Sequence, residues 1–541
     1  MRQPIRQNPQ RVPKALTMQL PAPVKGWTSM ESKVGAKPDT ALVLDNFYPQ
    51  AEGLKMRGGY VVFGSGLGGE VQTLMTYTSA TSTKFIAAAN GGLYEVNFEG
   101  VTPSASVSGL SSNKWQHCMF ATPAGQFLYC VNGIDSARYF DGTNWTTPTI
   151  TGVSSDTLVN VATHKFRLWF AQAGTTDLWY LPVSSIAGEA TAFPIGGLFS
   201  QGGYVEALGV YSYDAGYGMD DLFFAWSSEG EIAVFQGTDP DSAATWGLVG
   251  VFRIGKPMGR RSVKQIAGDS ALLTEDGIMP FSKVMKLDRS VVSTESITAN
   301  IRQAFSDAVI RSREAFGWQL TVHPIRNMAI VNVPAGGSEV TSQFVMNTTT
   351  GAWCRFTNMD AVCWGTYDNM LFFGGTDGKV YRADYGGTDN GEIISAAVLP
   401  AFNDLKSGGR LLHVKLCRPI FTSDIATANP SVSIASDYTI GTEASATDTI
   451  RGNFFTWDVS LWDGTDVWFG FQYRNDWLGN GGIGSVISPY TTFGVDTSDG
   501  STFFTWDVSL WDGVDRWRGF VSSFNVQLTG WQMVYEVGGV M

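Results

Sequence analysis

The sequence predicts an all-β protein. It reads as a six- or seven-bladed β-propeller followed by a C-terminal β-rich sandwich or platform region that carries a duplicated hairpin. Three observations predict this. First, 62 of 541 residues are Gly, aromatics make up 13% and charged residues only 16%, a composition suited to strands joined by tight turns. Second, strand–Gly turn–strand units recur at Gly91, Gly133, Gly174, Gly230, Gly277, Gly336 and Gly378, separated by 42, 41, 56, 47, 59 and 42 residues. A blade of four short strands takes about 40–50 residues. Third, FFTWDVSLWDG at 454–464 recurs at 503–513, and 15 of 18 positions match between 454–471 and 503–520.

Taken in order, residues 1–30 carry Arg2, Arg6, Arg11, Lys14 and Lys25 and no acid, for a charge of +5 against −17 in the remainder. A basic, Pro/Gln-rich stretch before an acidic body predicts an extended arm that docks on a partner. Residues 31–63 form an N-terminal platform segment and 64–390 the propeller. One helix interrupts the strands near 296–314, where Ile297, Ile301, Ala304, Phe305, Ala308 and Val309 follow a 3.6-residue period and Ser296 is placed to cap. Glycines near 386–391 end the hairpin series, and 391–541 form the C-terminal region. In each duplicated copy, Phe455, Trp457, Val459 and Leu461 (or their equivalents) share one strand face before an Asp-Gly turn. The copies differ at Thr465/Val514, Val467/Arg516 and Phe469/Arg518.

Motifs for chemistry fail on context. Gly64–Gly69 matches GxGxxG, but β-like sequence follows where a dinucleotide site needs a helix. The four histidines, His117, His164, His323 and His413, lie apart and read as structural. Cys118, Cys130, Cys354, Cys363 and Cys417 form no Cys-x-x-Cys pair, which predicts reduced, buried thiols and assembly in a cytosol. Asp214, Asp220 and Asp221 form an acidic loop that reads as a solvated turn, with calcium as the alternative. Arg253, Lys256, Arg260, Arg261 and Lys264 form a basic patch that reads as a protein interface in an acidic domain. The expectation is therefore no catalytic residue, cofactor or metal, no membrane span and no signal peptide. Interface candidates are Arg2, Arg6, Arg11, Lys14, Arg253, Lys256, Arg260, Arg261, Lys264, Arg516 and Arg518.

DNFYPQAEGLKMRGGY (Asp45–Tyr60), YDAGYGMDDLFFAWSSEGEIAVFQGTDP from Tyr213, TEDGIMPFS around Gly277 and TWDVSLWDGVDRW near the C-terminus resemble the tail nozzle (tail tubular B type) proteins of short-tailed bacteriophages. The resemblance spans roughly residues 40–520. It implies a virion structural protein that assembles in the host cytoplasm. It also implies a homo-oligomeric ring, usually a hexamer, below the portal and adaptor proteins, with tail fibre or spike proteins as further partners. Viral DNA would pass down the lumen without sequence-specific binding during genome ejection. An acidic body suits that role, because Lys/Arg–phosphate contacts would retard a sliding polymer. Two other readings stay open. One is a carbohydrate-binding or glycan-processing propeller that stacks sugars on Trp462, Trp468, Trp511 and Trp517; the other is a cytosolic propeller scaffold.

Overall fold

The computed structural model describes residues 15–29, 33–96, 104–214, 219–266, 268–286, 296–336, 341–408, 410–423, 428–440, 444–445, 472–474, 482–495 and 526–540. The duplicated hairpins at 454–471 and 503–520 lie outside them, as do Arg2, Arg6, Arg11, Lys14, Arg516 and Arg518. The described residues are mostly β, arranged in many small antiparallel sheets. They divide into two compact units: 58–392, and a second built from both chain ends, 1–57 with 393–541.

Among the described residues of unit 58–392, seven antiparallel sheets follow one another along the chain, with a small parallel pair, Ile150–Thr151 and Gly188–Glu189, beside them. The first runs Val71–Thr78, Thr83–Ala89, Gly92–Glu95 and Ala105–Val107, each strand antiparallel to the last. The same up-and-down order recurs in sheets beginning at Gln116–Thr122, Leu158–His164, Val205–Asp214, Val263–Ile266, Gln319–Val322 and Ala361–Tyr367. The fifth has three strands among the described residues. The seventh takes its fourth strand from the other end of the unit: Tyr60–Gly64 pairs antiparallel with Val380–Ala383. The first strand of each sheet lies against the first strand of the next, and that of the seventh against Val71–Thr78 of the first.

Strand periodicity explains how the sheets are glued together. Side chains alternate between the two faces of a strand, and the second strand of each sheet is buried on both. In Thr83–Ala89, Phe85, Ala87 and Ala89 enter the cluster shared with the seventh sheet, beside Cys363 and Phe372. Ile86 and Ala88 enter the cluster shared with the second, beside Leu128 and Cys130. The pattern then propagates. Tyr129 and Val131 meet Leu168 and Phe170; Trp169 and Ala171 meet Phe223 and Ala225; Phe224 and Trp226 meet Leu272 and Phe281. The uninterrupted apolar runs LFFAW and LWFA are thus strands with a neighbour on each side.

The seven glycines singled out in the sequence all fall at one structural place, the passage from second to third strand, six in the turn itself and Gly277 at the first residue of the third strand. Gly230 shows the reason. Its φ is +86°, and a Cβ there would stand 2.4 Å from the Ile254 carbonyl oxygen. That turn backbone also receives the Ile254 N–H on the Gly230 carbonyl, at 2.8 Å. The Cβ-free position lets the chain entering the next sheet pack directly on the turn.

The helix is present as Arg302–Ser312, preceded by a 3-10 turn at Ala299–Ile301. Ser296 does not cap it. Its hydroxyl accepts from the Thr298 N–H at 3.2 Å and contacts Thr298 Oγ1 at 2.7 Å, six residues ahead of the first α-helical residue. The buried face carries Phe305, Ala308, Val309 and Ser312.

In the other unit, Val526–Val540 and Arg410–Ser423 form a long antiparallel pair, flanked by Leu54–Met56, Phe47–Pro49, Gln472–Arg474 and Gly482–Gly484. Ala41–Asp45, Ser395–Pro400, Ile487–Val495, Ala428–Ser436 and Ala444–Ser445 follow one another in a further set of strands. The two sets meet through aromatics: the Phe493 ring lies edge-on to Phe47 at 5.5 Å and to Phe421 at 5.3 Å, and Trp531 Nε1 donates to Thr491 Oγ1 at 2.9 Å. Part of the expected arm is a strand. Leu16–Pro21 pairs antiparallel with Gly530–Tyr535, which satisfies the backbone groups on that side of it.

Candidate functional site

The basic patch of the sequence does not stay together as one surface. Arg253 ends the outer strand Trp246–Arg253 of the fourth sheet and is exposed. Lys264 lies on the first strand of the fifth sheet, beside the first strands of the fourth and sixth. Lys256, Arg260 and Arg261 occupy the connecting loop and line a cavity of about 510 Å³ together with Lys114, Glu206 and Phe316. Of the five cations, Lys256, Arg260 and Arg261 share this cavity, while Arg253 and Lys264 do not line it.

The loop reaches across the unit. Arg261 Nη2 donates to Gln72 O at 3.0 Å, Thr73 Oγ1 at 2.7 Å and Trp115 O at 3.2 Å. These belong to the first sheet and the start of the second, so one guanidinium of the fifth sheet ties three sheets at their entry edges. Thr73 is oriented for this because its own hydroxyl donates to Asn113 O at 2.6 Å. Arg260 Nη1 donates to Asn132 O at 3.1 Å, while Asn160 Nδ2 donates to Arg260 O at 3.2 Å. Phe316 sits between two cations, 4.7 Å from Lys114 Nζ and 5.0 Å from Arg261 Cζ.

Three cations of the mouth have carboxylate partners. Lys256 pairs with Glu229 at 2.6 Å, Arg313 with Glu275 at 2.7 Å, and Arg260 lies 3.9 Å from Glu206. Burial raises the Glu206 pKa, and Arg260 and Tyr204 oppose the rise. Crowding by protein lowers the pKa of Arg261 and of Lys264, with no carboxylate acting on either. Sequence reasoning missed His117, which joins this group. Its ring keeps contact with solvent, yet surrounding protein, then Arg261 and Lys264, push its pKa down to about 3. No local pattern signals that meeting, since the three residues come from the second and fifth sheets.

His323 and His164 lie elsewhere. His323 Nδ1 accepts from the Ile325 and Arg326 N–H groups, and its Nε2 lies 3.3 Å from Asp384. His164 is buried between the rings of Phe223 and Trp246, each 5.6 Å away, and neither ring nitrogen has a hydrogen-bond partner of ordinary geometry among the described residues. Burial, then Lys165, lowers its pKa to about 4; Asp221 opposes weakly. A lowered folded value means that the neutral ring stabilises fully above about pH 6.5. The contribution is lost as pH falls from about 6.5 to about 4, about 3 kcal/mol in all. Urea unfolding at pH 7 and pH 4.5 should therefore show the wild type losing about 2 kcal/mol more than His164→Phe. Equal losses would exclude the effect.

The acidic loop is partly spoken for. Asp221 accepts from Lys165 Nζ at 2.8 Å and Ser212 Oγ at 2.8 Å, which lowers its pKa against the desolvation of burial. Asp214 and Asp220 lie at strand ends, opposite Met219 and Tyr213 in the backbone register. Among the described residues no three His, Cys, Asp or Glu side chains gather as a metal site. Cys130, Cys354, Cys363 and Cys417 are buried and Cys118 is partly so; the protein packed around Cys118 raises its thiol to about 12. The Gly64–Gly69 segment is a turn, with Leu67 N–H donating to Gly378 O at 3.2 Å. No described helix is long and apolar enough to cross a membrane.

The chain matches no protein-family model and no curated protein sequence. Among solved structures it is similar to the computationally designed Ika8 protein, with 13% identity, 60% of this chain and 99% of that chain covered, and a TM-score of 0.33. It is also similar to BBS1N in complex with ARL6DN, at 10% identity, 61% and 97% coverage and a TM-score of 0.37. A third is YCF48 bound to D1 peptide, at 10% identity, 63% and 98% coverage and a TM-score of 0.33.

Proposed function

We propose that this chain is a virion structural protein, a subunit of the tail nozzle ring of a short-tailed phage, whose 58–392 unit is a seven-bladed β-propeller. One observation carries the reading: a seven-sheet unit is inserted between residues 57 and 393 of a second β unit that both chain ends build. The two-ended unit supplies long strands, Arg410–Ser423 and Val526–Val540, for a platform. The resemblance at Asp45–Tyr60 and from Tyr213 adds the ring below portal and adaptor. The net charge of −12 fits a lumen along which DNA slides rather than binds.

Purified full-length protein, imaged by negative stain and sized by light scattering, should give ring particles of about six copies. A monomer at every concentration, with and without an adaptor ring, would remove the nozzle reading. Binding on a glycan array by such a monomer would replace it with the carbohydrate reading.

A further inference from the structure

The mouth of the seven-sheet unit holds more positive charge than its own carboxylates neutralise. Lys256, Arg313 and Arg260 have Glu229, Glu275 and Glu206. Arg261 is held instead by neutral oxygens, two backbone carbonyls and the Thr73 hydroxyl, which fix its position and leave its charge uncompensated. Lys114 faces the Phe316 ring. Of the lining carboxylates, Glu229 and Glu206 are the partners just named, and Glu314 lies 3.8 Å from Arg313. Arg261 and Lys114 thus reach, from the fifth and second sheets, a cavity of about 510 Å³, large enough for a small solvated ion.

Cations crowded by protein are costly unless an opposite charge joins them. Arg261 is the costly one here: the chain fixes it with three hydrogen bonds in a position where its charge faces the cavity. A guanidinium whose geometry is already set, beside one ammonium on a flexible stem, is the donor set that multivalent oxyanions take. We propose that the mouth of unit 58–392 is an anion site, in which Arg261 and Lys114 bind a phosphate-class oxyanion. Arg261 supplies the fixed anchor. Lys114, on the same Phe316 ring, closes on the ion beside it, and the ion offsets the repulsion of the two. The carboxylate of Glu206 stays outside the set because Arg260 and Tyr204 hold it.

The test is isothermal titration of the full-length protein with inorganic phosphate and with pyrophosphate, at constant ionic strength set by chloride. Saturable one-site binding is expected, tighter for pyrophosphate. Lys114→Gln should weaken it about tenfold, the loss of one charge-assisted hydrogen bond, and Lys114→Arg should restore it. Lys406→Gln, in the other unit, should leave it unchanged. Lys114 is exposed, so both variants at this position keep the core intact. Absence of saturable heat with wild type up to millimolar phosphate overturns the site. So does unchanged affinity in Lys114→Gln, or binding of a short oligonucleotide where neither inorganic anion binds.

Discussion

Trp169→Ala is expected to cost about 3–5 kcal/mol of unfolding free energy, the range for emptying a fully packed aromatic site. Trp169 is wholly buried on the second strand of the third sheet. Its indole stacks on Trp246 at 5.3 Å with 13° between planes, lies 4.6 Å from Phe223 and 4.9 Å from Tyr180, and meets Phe193 edge-on at 5.8 Å. Trp246 and Phe223 belong to the fourth sheet, so these rings are the seam between two sheets. No backbone hydrogen bond crosses that seam at Trp169, and packing must hold it. The indole N–H has no hydrogen-bond partner of ordinary geometry among the described residues, which subtracts from the gain. Trp169→Phe should therefore cost less than half of Trp169→Ala, since it keeps a ring and removes the orphan donor. Chemical denaturation of the three proteins measures this. An alanine variant within 1 kcal/mol of wild type would show that the seam does not depend on this cluster.

The seam also shows what was legible in the sequence. The glycines marked the second-to-third-strand connections because most of these tight turns need a positive φ, as at Gly91, Gly133, Gly174, Gly230 and Gly378, and that need is local. The apolar runs marked the second strands because burial on both faces removes polar alternation. What stayed hidden was non-local. YVVFG was readable as a strand, but it fell within the expected N-terminal platform segment. In the structure it completes the seventh sheet, about 320 residues away in the chain. Nothing in Tyr60–Gly64 states its partner, since a strand's pattern encodes faces and not neighbours. Leu16–Pro21 escaped for a similar reason: surrounding basic and proline residues suggest an arm, while its ladder to Gly530–Tyr535 is set by the far end of the chain.

The basic loop divides the same way. Its charge was plain in GKPMGRRSVK, but its role depends on what faces it. Arg261 finds Gln72, Thr73 and Trp115, which lie 146 to 189 residues earlier. His117 read as an isolated histidine, and its two cationic neighbours come from residues 261 and 264. Ser296 failed as a cap because a 3-10 turn intervenes, and helical periodicity fixes a helix axis better than its first residue.

Replacing both Val61 and Val62 by Pro should open the seventh sheet at a cost of about 3 kcal/mol or more. Alternate residues of a strand turn their N–H groups to the same side, so one of this pair donates toward Val380–Ala383. Proline removes that donor whichever residue it is. The strand also carries the closing side chains. The Tyr60 ring meets Phe373 at 5.1 Å and Tyr381 at 5.2 Å, and its hydroxyl donates to Asn358 O at 3.1 Å. Phe63 packs on Phe372 at 4.8 Å, inside the cluster that joins the seventh sheet to the first. Without the strand, the seventh sheet ends in an unpaired edge and the first-to-seventh seam loses Phe63. A ring of sheets has no free end only while this joint holds, so the loss should spread beyond the sheet where it starts. Denaturant midpoints should fall sharply, and limited proteolysis should begin within 384–392. The paired alanine variant, Val61→Ala with Val62→Ala, keeps both N–H groups and should retain the closed state. If the double-proline protein unfolds at the wild-type midpoint, the strand is not what closes the unit.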